Sequence, residues 1–372
     1  MVELNQEIIK QQLQPEGTVV IIDTSNIIKN YQIIKNQANN SLISAVIKND
    51  AYGLGAIKIS KILQEQGCKD FFVATLSEGI ILRKEFNNIN IFVLHGVLPN
   101  QEAIFLRYNL IPVINTISQA SLWNNFAKKN NEKLQCIVHV ETGINRLALS
   151  MEEVNFLHSN NSMDYLEITC VMAHFACSDM DNHFSIDIQY NKFLEFFKFF
   201  PSAKKSLSAS YGIFLKQEYL TDIVRPGVAL YGGNPKPYTT NIMLPVIHFY
   251  TTILQIKLLK QDEFVGYGYR FQAKKDSRVA VIQVGYADGV LRCATNKGHV
   301  YINGYKAPMI GTVSMDLIVV DVSSIPTHLC EEGEAVELIG NNMSLDNFAT
   351  MLGTVHCEIL GGLTRRYPRI YI

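Results

Sequence analysis

Residues 41–55 read SLISAVIKNDAYGLG, an apolar, β-branched run that ends in a lysine followed by a tyrosine and two glycines. Such a run predicts a buried strand, because β-branched side chains pack well inside a sheet. Lysine usually lies on a solvated face, so Lys48 at the end of a buried strand needs a partner or a chemical role. The stretch therefore indicates a fold built on buried strands and a candidate functional residue.

Seven more apolar runs follow the first, at residues 71–76, 91–96, 110–115, 135–141, 166–175, 205–210 and 226–232. The segments between them have helical periodicity and begin near Ser, Thr or Asn, which cap helices. Eight parallel strands joined by helices predict an α/β chain with a (β/α)8 TIM-type barrel. The alternative is an open doubly wound sheet, which the count of eight and the absence of GxGxxG after the first strand both disfavour.

The pattern changes after residues 234–240, NPKPYTT. Strand patterns then follow one another without long helices, separated by turn signals such as Asn303-Gly304. This pattern indicates a mainly β C-terminal domain. The sequence thus predicts a barrel over residues 1–240 and a β domain over residues 241–372.

Composition narrows the function. Of the 372 residues, 48% are hydrophobic and 18% charged, with a formal net charge of -1, which excludes disorder and a strongly basic nucleic-acid surface. A small-molecule substrate is expected. The N-terminus lacks the apolar core of a signal peptide, and no apolar run reaches membrane-span length, so a cytoplasmic protein is predicted. The seven cysteines are scattered without a CxxC pair, as free thiols in a reducing compartment are.

Reactive residues recur where the predicted barrel strands end, and catalytic groups of such barrels lie at that edge. They are Lys48, Arg146, His174, Ser210 and the segment Arg225-Pro226-Gly227 with Val228, expected to lead into the eighth strand. Each alone has a structural explanation, such as a surface lysine, a core histidine, a helix cap or a turn. Together, a lysine and a Ser/Gly phosphate-type site suggest a phosphorylated aldehyde cofactor. The Lys48 amine can form a Schiff base with pyridoxal phosphate once burial and nearby cations lower its pKa.

A metal site is the competing interpretation of residues 170–183, CVMAHFACSDMDNH. The segment contains no CxxC or HxxxH pair, and strand alternation leaves Cys170 and His174 on one face without a second ligand pair at short spacing. No metal ligand is therefore assigned.

Several motifs resemble those of bacterial alanine racemases, in the family's order and across nearly the whole chain. They are KNDAYGLGA (48–56), VETGINRLAL (140–149), MAHFACSD (172–179), RPGVALYGG (225–233), VGYGYRF (265–271), VGYADG (284–289), APMIGTVSMDLIVVDV (307–322), CEIL (357–360) and LTRRYPRIY (363–371). The resemblance implies a barrel that binds pyridoxal phosphate, a following β domain and a head-to-tail homodimer. It also implies racemisation of L-alanine to D-alanine, which supplies peptidoglycan.

The resemblance implies two acid/base groups, because racemisation removes a proton from one face of Cα and returns one to the other. Lys48 resembles the first, and Tyr267 of the partner subunit resembles the second. An unperturbed phenol has a pKa near 10, so Tyr267 needs nearby positive charge to act as a base at neutral pH. His174 and Arg225 resemble the residues that form this cationic network in the family. Arg225 also resembles the arginine that faces the pyridine nitrogen and limits side reactions.

Other contacts follow from the same resemblance. The residues that resemble the family's contacts to the cofactor phosphate are Tyr52, Ser210, Gly227 and Val228. Arg146 resembles the residue that touches the phenolic oxygen of the cofactor and the substrate carboxylate. Met315, beside Asp316, resembles the partner's main-chain contact to that carboxylate, and Tyr286 resembles the narrow access to the site. Alternatively, Met315 only packs, and Tyr286 with Asp288 only shapes a turn.

The chain departs from the family pattern at three positions. His139 stands where many members have a lysine that becomes carbamylated and fixes the neighbouring arginine, so Arg146 must be positioned differently. A neutral histidine accepts one hydrogen bond but supplies no anion. Cys357 replaces a tyrosine that contacts the phosphate, and Ala209 replaces a common asparagine. We therefore expect weaker retention of pyridoxal phosphate with the activity preserved.

Two other functions stay open. A regulatory protein that carries pyridoxal phosphate shares the barrel but resembles a single-domain chain, which the β domain with Tyr267 disfavours. A decarboxylase, or a racemase of another amino acid, fits the same two-domain plan. In each case Lys48, rather than Lys58 or Lys61, is predicted to carry the cofactor.

Overall fold

The computed structural model describes residues 6–14, 16–180, 182–363 and 365–372, which fall into two compact units. The barrel unit comprises Asn30–Leu230 and Asn234–Met243. The sheet unit comprises the described residues up to Lys29, Tyr231–Gly233 and Leu244–Ile372. This division differs from a boundary at residue 240, because the first strand of the chain pairs with strands from the C-terminal part.

Eight parallel strands form a closed barrel, which confirms the predicted (β/α)8 fold. The strands are β2 (Leu42–Val46), β3 (Asp70–Val73), β4 (Asn90–Val93), β5 (Ile111–Ile114), β6 (Leu134–His139), β7 (Leu166–Met172), β8 (Lys204–Ala209) and β9 (Ile223–Arg225). Pairing of Leu42 with Ile223 and of Ile43 with Val224 joins the last strand to the first. No edge strand is left open, since closure pairs every strand on both sides.

α-Helices connect the barrel strands from β2 to β8, as the sequence predicted, but the connection from β8 to β9 contains only two short 3-10 helices, Gly212–Phe214 and Gln217–Tyr219. Helix α2 (Thr24–Gln37) precedes β2, and the connecting helices are α3 (Lys48–Tyr52), α4 (Ala56–Glu65), α5 (Leu76–Glu85), α6 (Glu102–Arg107), α7 (Ile117–Lys129), α8 (Met151–Ser159) and α9 (Ser185–Phe197). Side-chain oxygens of Thr75, Thr116 and Ser150 accept hydrogen bonds from the third backbone N–H of α5, α7 and α8. These residues satisfy donors that the first turn of a helix leaves unpaired.

The eighth strand lies earlier than predicted. Residues 226–232 were expected to form it, but the strand is Ile223–Arg225, and Val228–Tyr231 is a short 3-10 helix. Proline has no N–H to donate at 226, and the N–H groups of Gly227 and Ala229 donate to Ser210 Oγ, at 2.9 and 3.2 Å. These backbone groups are therefore turned toward a side chain instead of a strand ladder.

The barrel interior is filled by an apolar layer. Its buried members are Phe72, Phe92, Ile111, Val113, Ile137, Cys170, Met172 and Ile223, with Val46 and Leu94 packed against them. At about 25 cal/mol per Å², their burial is a major stabilising contribution to the fold. The filled interior leaves the ends of the strands as the place where a ligand can bind.

The sheet unit is mainly β, as expected. Its eight-stranded sheet is formed by β1 (Thr18–Ile22), β10 (Ile247–Leu259), β13 (Ser277–Ile282), β14 (His299–Ile302), β15 (Tyr305–Ile310), β16 (Ile318–Asp321), β17 (Ala335–Ile339) and β18 (Arg369–Tyr371). The order of the strands in the sheet is β13-β16-β15-β14-β17-β10-β1-β18. A separate two-stranded ribbon is formed by β11 (Phe264–Val265) and β12 (Phe271–Gln272). The Asn303-Gly304 turn is confirmed, with φ of +48° and +81°.

Strand β1 explains why the N-terminal segment belongs to the sheet unit. It pairs antiparallel with β10 and parallel with β18. Helix α1 (Gln6–Leu13) covers this part of the sheet, with Ile9 and Leu13 packed against Val19 and Ile21. Two further helices, α10 (Leu345–Met351) and α11 (His356–Gly362), complete the unit. Within the described ranges, every helix is too short or too polar to cross a membrane.

Candidate active site

A polar layer lies above the apolar layer of the barrel. Successive side chains of a strand alternate between its faces, so the residue two positions after an inward-facing one also faces inward. The apolar layer includes Val113, Ile137, Met172 and Ile223. The residues two positions later are Asn115, His139, His174 and Arg225. Polar groups are therefore collected at the C-terminal mouth of the barrel, the edge at which the sequence placed the site.

Lys48 opens a left-handed helical turn directly after the first barrel strand. Residues 49–52 have φ between +52° and +56°, a conformation that costs L-residues roughly 1–2 kcal/mol each. The turn is held by hydrogen bonds from Ala51 N to Ile47 O and from Gly53 N to Asn49 O, both 2.8 Å. Backbone conformations of this kind persist where the surrounding structure enforces them, often at functional sites.

The turn is anchored to the following helices. Asn49 N donates to Glu78 Oε1 at 2.7 Å, and Asp50 Oδ1 accepts from Ala56 N at 2.8 Å. Glu78 in turn accepts from the backbone N–H groups of Ala74 and Thr75 at the start of α5. Lys48 and Tyr52 are thus held at the barrel mouth by fixed backbone geometry.

Tyr52, Ser210 and Gly227 meet at one point of the rim. A Cβ at position 227 would lie 2.5 Å from Tyr52 Oη and 3.4 Å from Val46 Cβ, so only glycine fits there. Ser210 Oγ lies within hydrogen-bonding distance of the backbone N–H groups of Gly227 and Ala229. Two hydroxyls beside a glycine, where the missing side chain leaves room for a ligand to approach the backbone, are suited to holding a phosphate. These residues therefore fit a phosphorylated cofactor.

Arg225 is buried, and its hydrogen bonds within the described residues go to neutral groups. Its Nη1 donates to Ser206 Oγ, and its Nη2 donates to Ala173 O at 2.5 Å and to Leu207 O at 3.4 Å. Burial lowers the pKa of Arg225 to about 10, so the guanidinium is still charged at neutral pH. The polar layer therefore contains a rigid positive charge.

The histidine beside this charge is neutral. Burial, and then the positive charges of Arg225 and Arg146, lower the pKa of His174 to about 3. Lys48 contributes in the same direction, so its amine lies close enough to His174 to interact with it. Of the predicted pair, His174 and Arg225, the positive charge at pH 7 therefore resides on Arg225 alone.

Arg146 lies on a short loop after β6. The loop is closed at its base by hydrogen bonds from Leu149 N to His139 O and from Glu141 N to Leu149 O, both 2.9 Å. The Arg146 side chain is exposed, and its charge lowers the pKa of both His139 and His174. Arg146 therefore lies near the polar layer with freedom to reorient.

In the sheet unit, four predicted residues lie on neighbouring loops. Tyr267 is exposed, and its carbonyl oxygen accepts a hydrogen bond from Thr312 Oγ1 at 2.6 Å. Tyr286 N donates to Ser314 O, and Ala287 N donates to Met315 O, both at 3.0 Å. A Cβ on Gly285 would lie 2.2 Å from Met315 O, which shows how closely the loops approach. Predicted residues Tyr267, Tyr286, Met315 and Asp316 are thus brought together.

Arg366 connects these loops and was not predicted from the sequence. Its Nη1 lies 2.5 Å from Asp316 Oδ1 and 3.4 Å from Asp288 Oδ1. Asp288 is buried and accepts from Gly285 N at 2.9 Å, and burial raises its pKa. The acidic residues in VGYADG and VSMDL and the two arginines of LTRRY were the only sequence features that could have suggested an ion pair here. Asp288 therefore supports the loop that carries Tyr286.

Asn115 and Ser206 were also missed. Asn115 is a polar residue directly after β5, and Ser206 is a polar residue within β8. A polar side chain at such a position of a barrel strand could have identified both. Of the family departures, Ala209 is the last residue of β8 and precedes Ser210 directly. Cys357 lies in α11 of the sheet unit, next to the buried His356.

No site for a metal ion is assigned. Within the part of the chain that the structure describes, no three His, Cys, Asp or Glu side chains form a cluster that could hold one. In residues 170–183, Cys170 belongs to the apolar layer, and burial raises its pKa to about 12.

Family descriptions match both units of the chain. "Alanine racemase, N-terminal domain" matches residues 22–235, and "Alanine racemase, C-terminal domain" matches residues 246–371. An alanine racemase of Rickettsia canadensis is 42% identical over 94% of this chain and 98% of its own length. A catabolic alanine racemase of Agrobacterium fabrum is 38% identical over 94% of this chain and 91% of its own.

Solved structures give the same similarity. The alanine racemase of Bartonella henselae, with covalently bound pyridoxal phosphate, superimposes with a TM-score of 0.93 at 35% identity, over 96% of this chain and all of that one. The biosynthetic alanine racemase of Pseudomonas aeruginosa gives a TM-score of 0.89 at 28% identity, over 96% of this chain and 99% of that one. The similarity covers both the barrel and the sheet.

Proposed function

Because the chain belongs to the alanine racemase family, we propose that it interconverts L- and D-alanine with pyridoxal phosphate and two acid/base groups. The groups are Lys48 of one subunit and Tyr267 of the partner subunit, in a homodimer with shared sites. The observation that carries the proposal is the position of Lys48 beside the phosphate-type cradle of Tyr52, Ser210 and Gly227. D-Alanine made in the cytoplasm would then supply peptidoglycan.

The chain's own residues fit the cofactor. The Lys48 amine would hold its aldehyde carbon, and Tyr52, Ser210, Gly227 and Val228 would hold its phosphate, since a Cβ at 227 would close the cradle. Pyridoxal phosphate, when bound, withdraws electrons from the substrate and makes the Cα–H bond acidic. The relative from Bartonella henselae, with its covalently bound cofactor, supports this assignment.

Arg225 would lie against the pyridine nitrogen. A buried guanidinium held by Ser206 and two carbonyl groups can only donate hydrogen bonds and stays charged at neutral pH. Such a neighbour disfavours protonation of the ring nitrogen, because two positive charges would be brought together in a buried site. The fixed charge at Arg225 therefore favours racemisation over reactions that need a long-lived carbanion.

Two acid/base groups are needed because one group on one face can only restore the starting configuration. Lys48 would exchange a proton with one face of Cα and Tyr267 of the partner subunit with the other. The neutral His174 can accept or donate a hydrogen bond without adding charge, and Arg225 supplies the positive field that stabilises a phenolate. Lys48 and the phenol would therefore exchange roles with the direction of the reaction.

Substrate recognition would use Arg146 and Met315. The planar guanidinium of Arg146 suits a carboxylate, and the main chain at Met315 of the partner subunit would add a donor. Tyr286 would narrow the access, and Asp316 would hold the loop through Arg366. A racemase or decarboxylase for another amino acid is the alternative, and the matches to alanine racemases over both domains favour alanine.

A chiral assay tests the proposal. Purified protein with pyridoxal phosphate is incubated with single enantiomers of alanine, serine, lysine and arginine, and both enantiomers are then separated and quantified. We expect racemisation of alanine to exceed that of the others. Carbon dioxide release, or faster turnover of a basic amino acid, would instead support the alternative enzyme, and no turnover of any would support a regulatory protein.

Borohydride reduction locates the cofactor. The reduced, digested protein should carry the label on the peptide that contains Lys48. A label on Lys58 or Lys61, which lie on α4, would refute the assignment of Lys48.

A further inference from the structure

The imidazole of His139 has a defined tautomer in the polar layer. The side chain is 7% exposed, and its Nδ1 lies 2.9 Å from Asn115 Oδ1. Asn115 is oriented by its own amide group, which donates to Leu94 O at 3.0 Å and to Val113 O at 2.9 Å. An oxygen therefore faces Nδ1, so Nδ1 carries the hydrogen and Nε2 presents a lone pair.

This lone pair is buried and unused. Among the described residues, none forms a hydrogen bond with the buried His139 Nε2. Leaving a buried acceptor unsatisfied costs free energy, so such groups normally have a partner. Protonation does not solve the problem, because burial and the charges of Arg225 and Arg146 lower the pKa of His139 to about 3. Nε2 therefore remains an acceptor that requires a donor.

Two arginines lie near this acceptor, and only one has freedom to reach it. Arg225 directs both terminal nitrogens at Ser206, Ala173 and Leu207. Arg146 is exposed, has five N–H donors, and lies on the loop whose base is closed by the hydrogen bond from Leu149 N to His139 O. The residue with the orphan acceptor thus also anchors the loop with the available donor.

We propose that the neutral Nε2 of His139 accepts a hydrogen bond from the Arg146 guanidinium and thereby positions Arg146 for the substrate carboxylate. This inference rests on the proposed function. His139 is a positioning residue in this account, because it acts through Arg146. A neutral acceptor orients the guanidinium without an ion pair that would compete with the carboxylate. No carbamate or other added anion is then required to position Arg146.

Propionate, which is alanine without its amino group, is the probe for this contact. Its affinity for the holoenzyme is measured by calorimetry, so the readout does not depend on turnover. His139→Asn keeps a donor toward Asn115 but has no atom at the position of Nε2, and it should weaken propionate binding about tenfold. His139→Gln can place an oxygen near that position, and its affinity should stay within about threefold of wild type. The KM for alanine should rise in parallel with the loss of propionate affinity.

A double-mutant cycle identifies the donor. In an Arg146→Ala background, His139→Asn should have no further effect on propionate binding, because the contact is already lost. Cofactor absorbance and the thermal midpoint report whether each variant is folded. If His139→Asn does not retain cofactor, His139→Met, which has a similar volume and only a weak acceptor, takes its place in the cycle.

The outcomes separate the two proposals. If wild type neither racemises alanine nor binds propionate, the proposed function fails. If wild type does both, but His139→Asn binds propionate equally well, or loses the same affinity in the Arg146→Ala background, the role of His139 is refuted. Removal of bicarbonate should change neither propionate affinity nor KM, and a dependence on bicarbonate would also refute it.

Discussion

The barrel rim and the loops of the sheet unit hold their proposed site residues in opposite ways. On the rim, Arg225 is 4% exposed and His139 is 7% exposed, and each is fixed by neutral hydrogen-bonding groups. In the sheet unit, Tyr267 is 72% exposed and Met315 is 52% exposed. Their loops are held by backbone hydrogen bonds and by Arg366, whose side chain is also exposed.

The difference shows which part of the site the fold builds alone. A side chain on the inward row of a barrel strand has its direction set by the strand, and burial sets its charge. An exposed tyrosine on a loop has neither constraint and is available to another surface. This contrast supports the proposal that Lys48 acts with Tyr267 of the partner subunit, and the predictions below test it.

The largest expected effect comes from removing either of the proposed acid/base groups. Lys48→Ala and Tyr267→Phe should each reduce racemisation by about a thousandfold, because one face of Cα has no proton donor or acceptor. When the two inactive proteins are unfolded and refolded together, random pairing should return roughly a quarter of wild-type activity. Each hybrid then has one complete site of two. Chiral analysis of alanine measures the recovery.

Recovery must be judged on dimers that bind cofactor. Sizing and cofactor absorbance provide that control. If such dimers stay inactive, both acid/base groups come from one chain, and the contrast between rim and loop has a different cause.

The second prediction concerns the packing at Gly227. Gly227→Ala should weaken the binding of pyridoxal phosphate about tenfold to a hundredfold, because its Cβ would lie 2.5 Å from Tyr52 Oη. Titration of the apoprotein, followed by absorbance, measures the dissociation constant. In a Tyr52→Phe background, Gly227→Ala should weaken cofactor binding less, because the hydroxyl in closest contact is gone. An equal loss of cofactor affinity in both backgrounds would contradict a cradle formed by Tyr52 and Gly227.

The third prediction compares histidines of the two units. His356 is buried in the sheet unit, where burial lowers its pKa. The hydrogen bonds and charge interactions with Asp346, 3.0 Å from Nδ1, and with Cys357 together outweigh burial and raise the pKa to about 9. The folded state then binds a proton that the unfolded state releases near pH 6.5. The stabilisation is complete below that pH and is lost as pH rises through about 9.

Thermal unfolding between pH 6 and pH 10 measures this effect. The midpoint of wild type should fall over this interval, by the equivalent of about 2 kcal/mol. In His356→Gln the fall should be smaller, while His174→Gln should retain the wild-type slope above about pH 8, where His174 is neutral in both the folded and the unfolded state. Parallel curves for wild type and His356→Gln would show that another group causes the pH dependence.

The smallest expected effect is at Arg366. Arg366→Ala should raise the KM for alanine about threefold, because the loops of Tyr286 and Met315 lose their link through Asp288 and Asp316. Global stability should change little, since the pair with Asp316 is exposed and contributes less than about 1 kcal/mol, and the buried Asp288 keeps its hydrogen bond from Gly285 N. Lys260→Ala is the matched control, because it removes an exposed pair with Asp276 at 2.8 Å in the same unit. Equal KM changes in both variants would contradict a role for Arg366.

The sequence predicted most of the rim because the signals there are local. Apolar runs mark strands, and polar residues at their ends mark the site, so Lys48, His174, Ser210 and Arg225 could be identified without a structure. Resemblance to one family added Tyr267 and Met315. Both kinds of signal lie within a few residues of the group that they identify.

Other features depend on contacts between distant segments. Arg366 is 78 residues from Asp288 and 50 from Asp316, and no short pattern encodes that bridge. Strand β1 pairs with β10, more than two hundred residues later, so its place in the sheet unit could not be foreseen. The eighth strand was misplaced because residues 226–232 are apolar enough for a strand, while Ser210 from β8 binds their backbone.

The left-handed turn after Lys48 has a consequence for the order of folding. Ala51 and Tyr52 have φ of +53° and +56°, which an isolated chain strongly disfavours, so the turn cannot act as a folding nucleus. We expect it to become stable when the barrel wall encloses the buried Ala51, and the Lys48 amine to be presented after that event. During refolding with excess pyridoxal phosphate, fluorescence of the single tryptophan, Trp123 on α7, should therefore reach its native value before the absorbance of bound cofactor appears. If both signals rose with one rate constant, cofactor capture and barrel closure would be a single step.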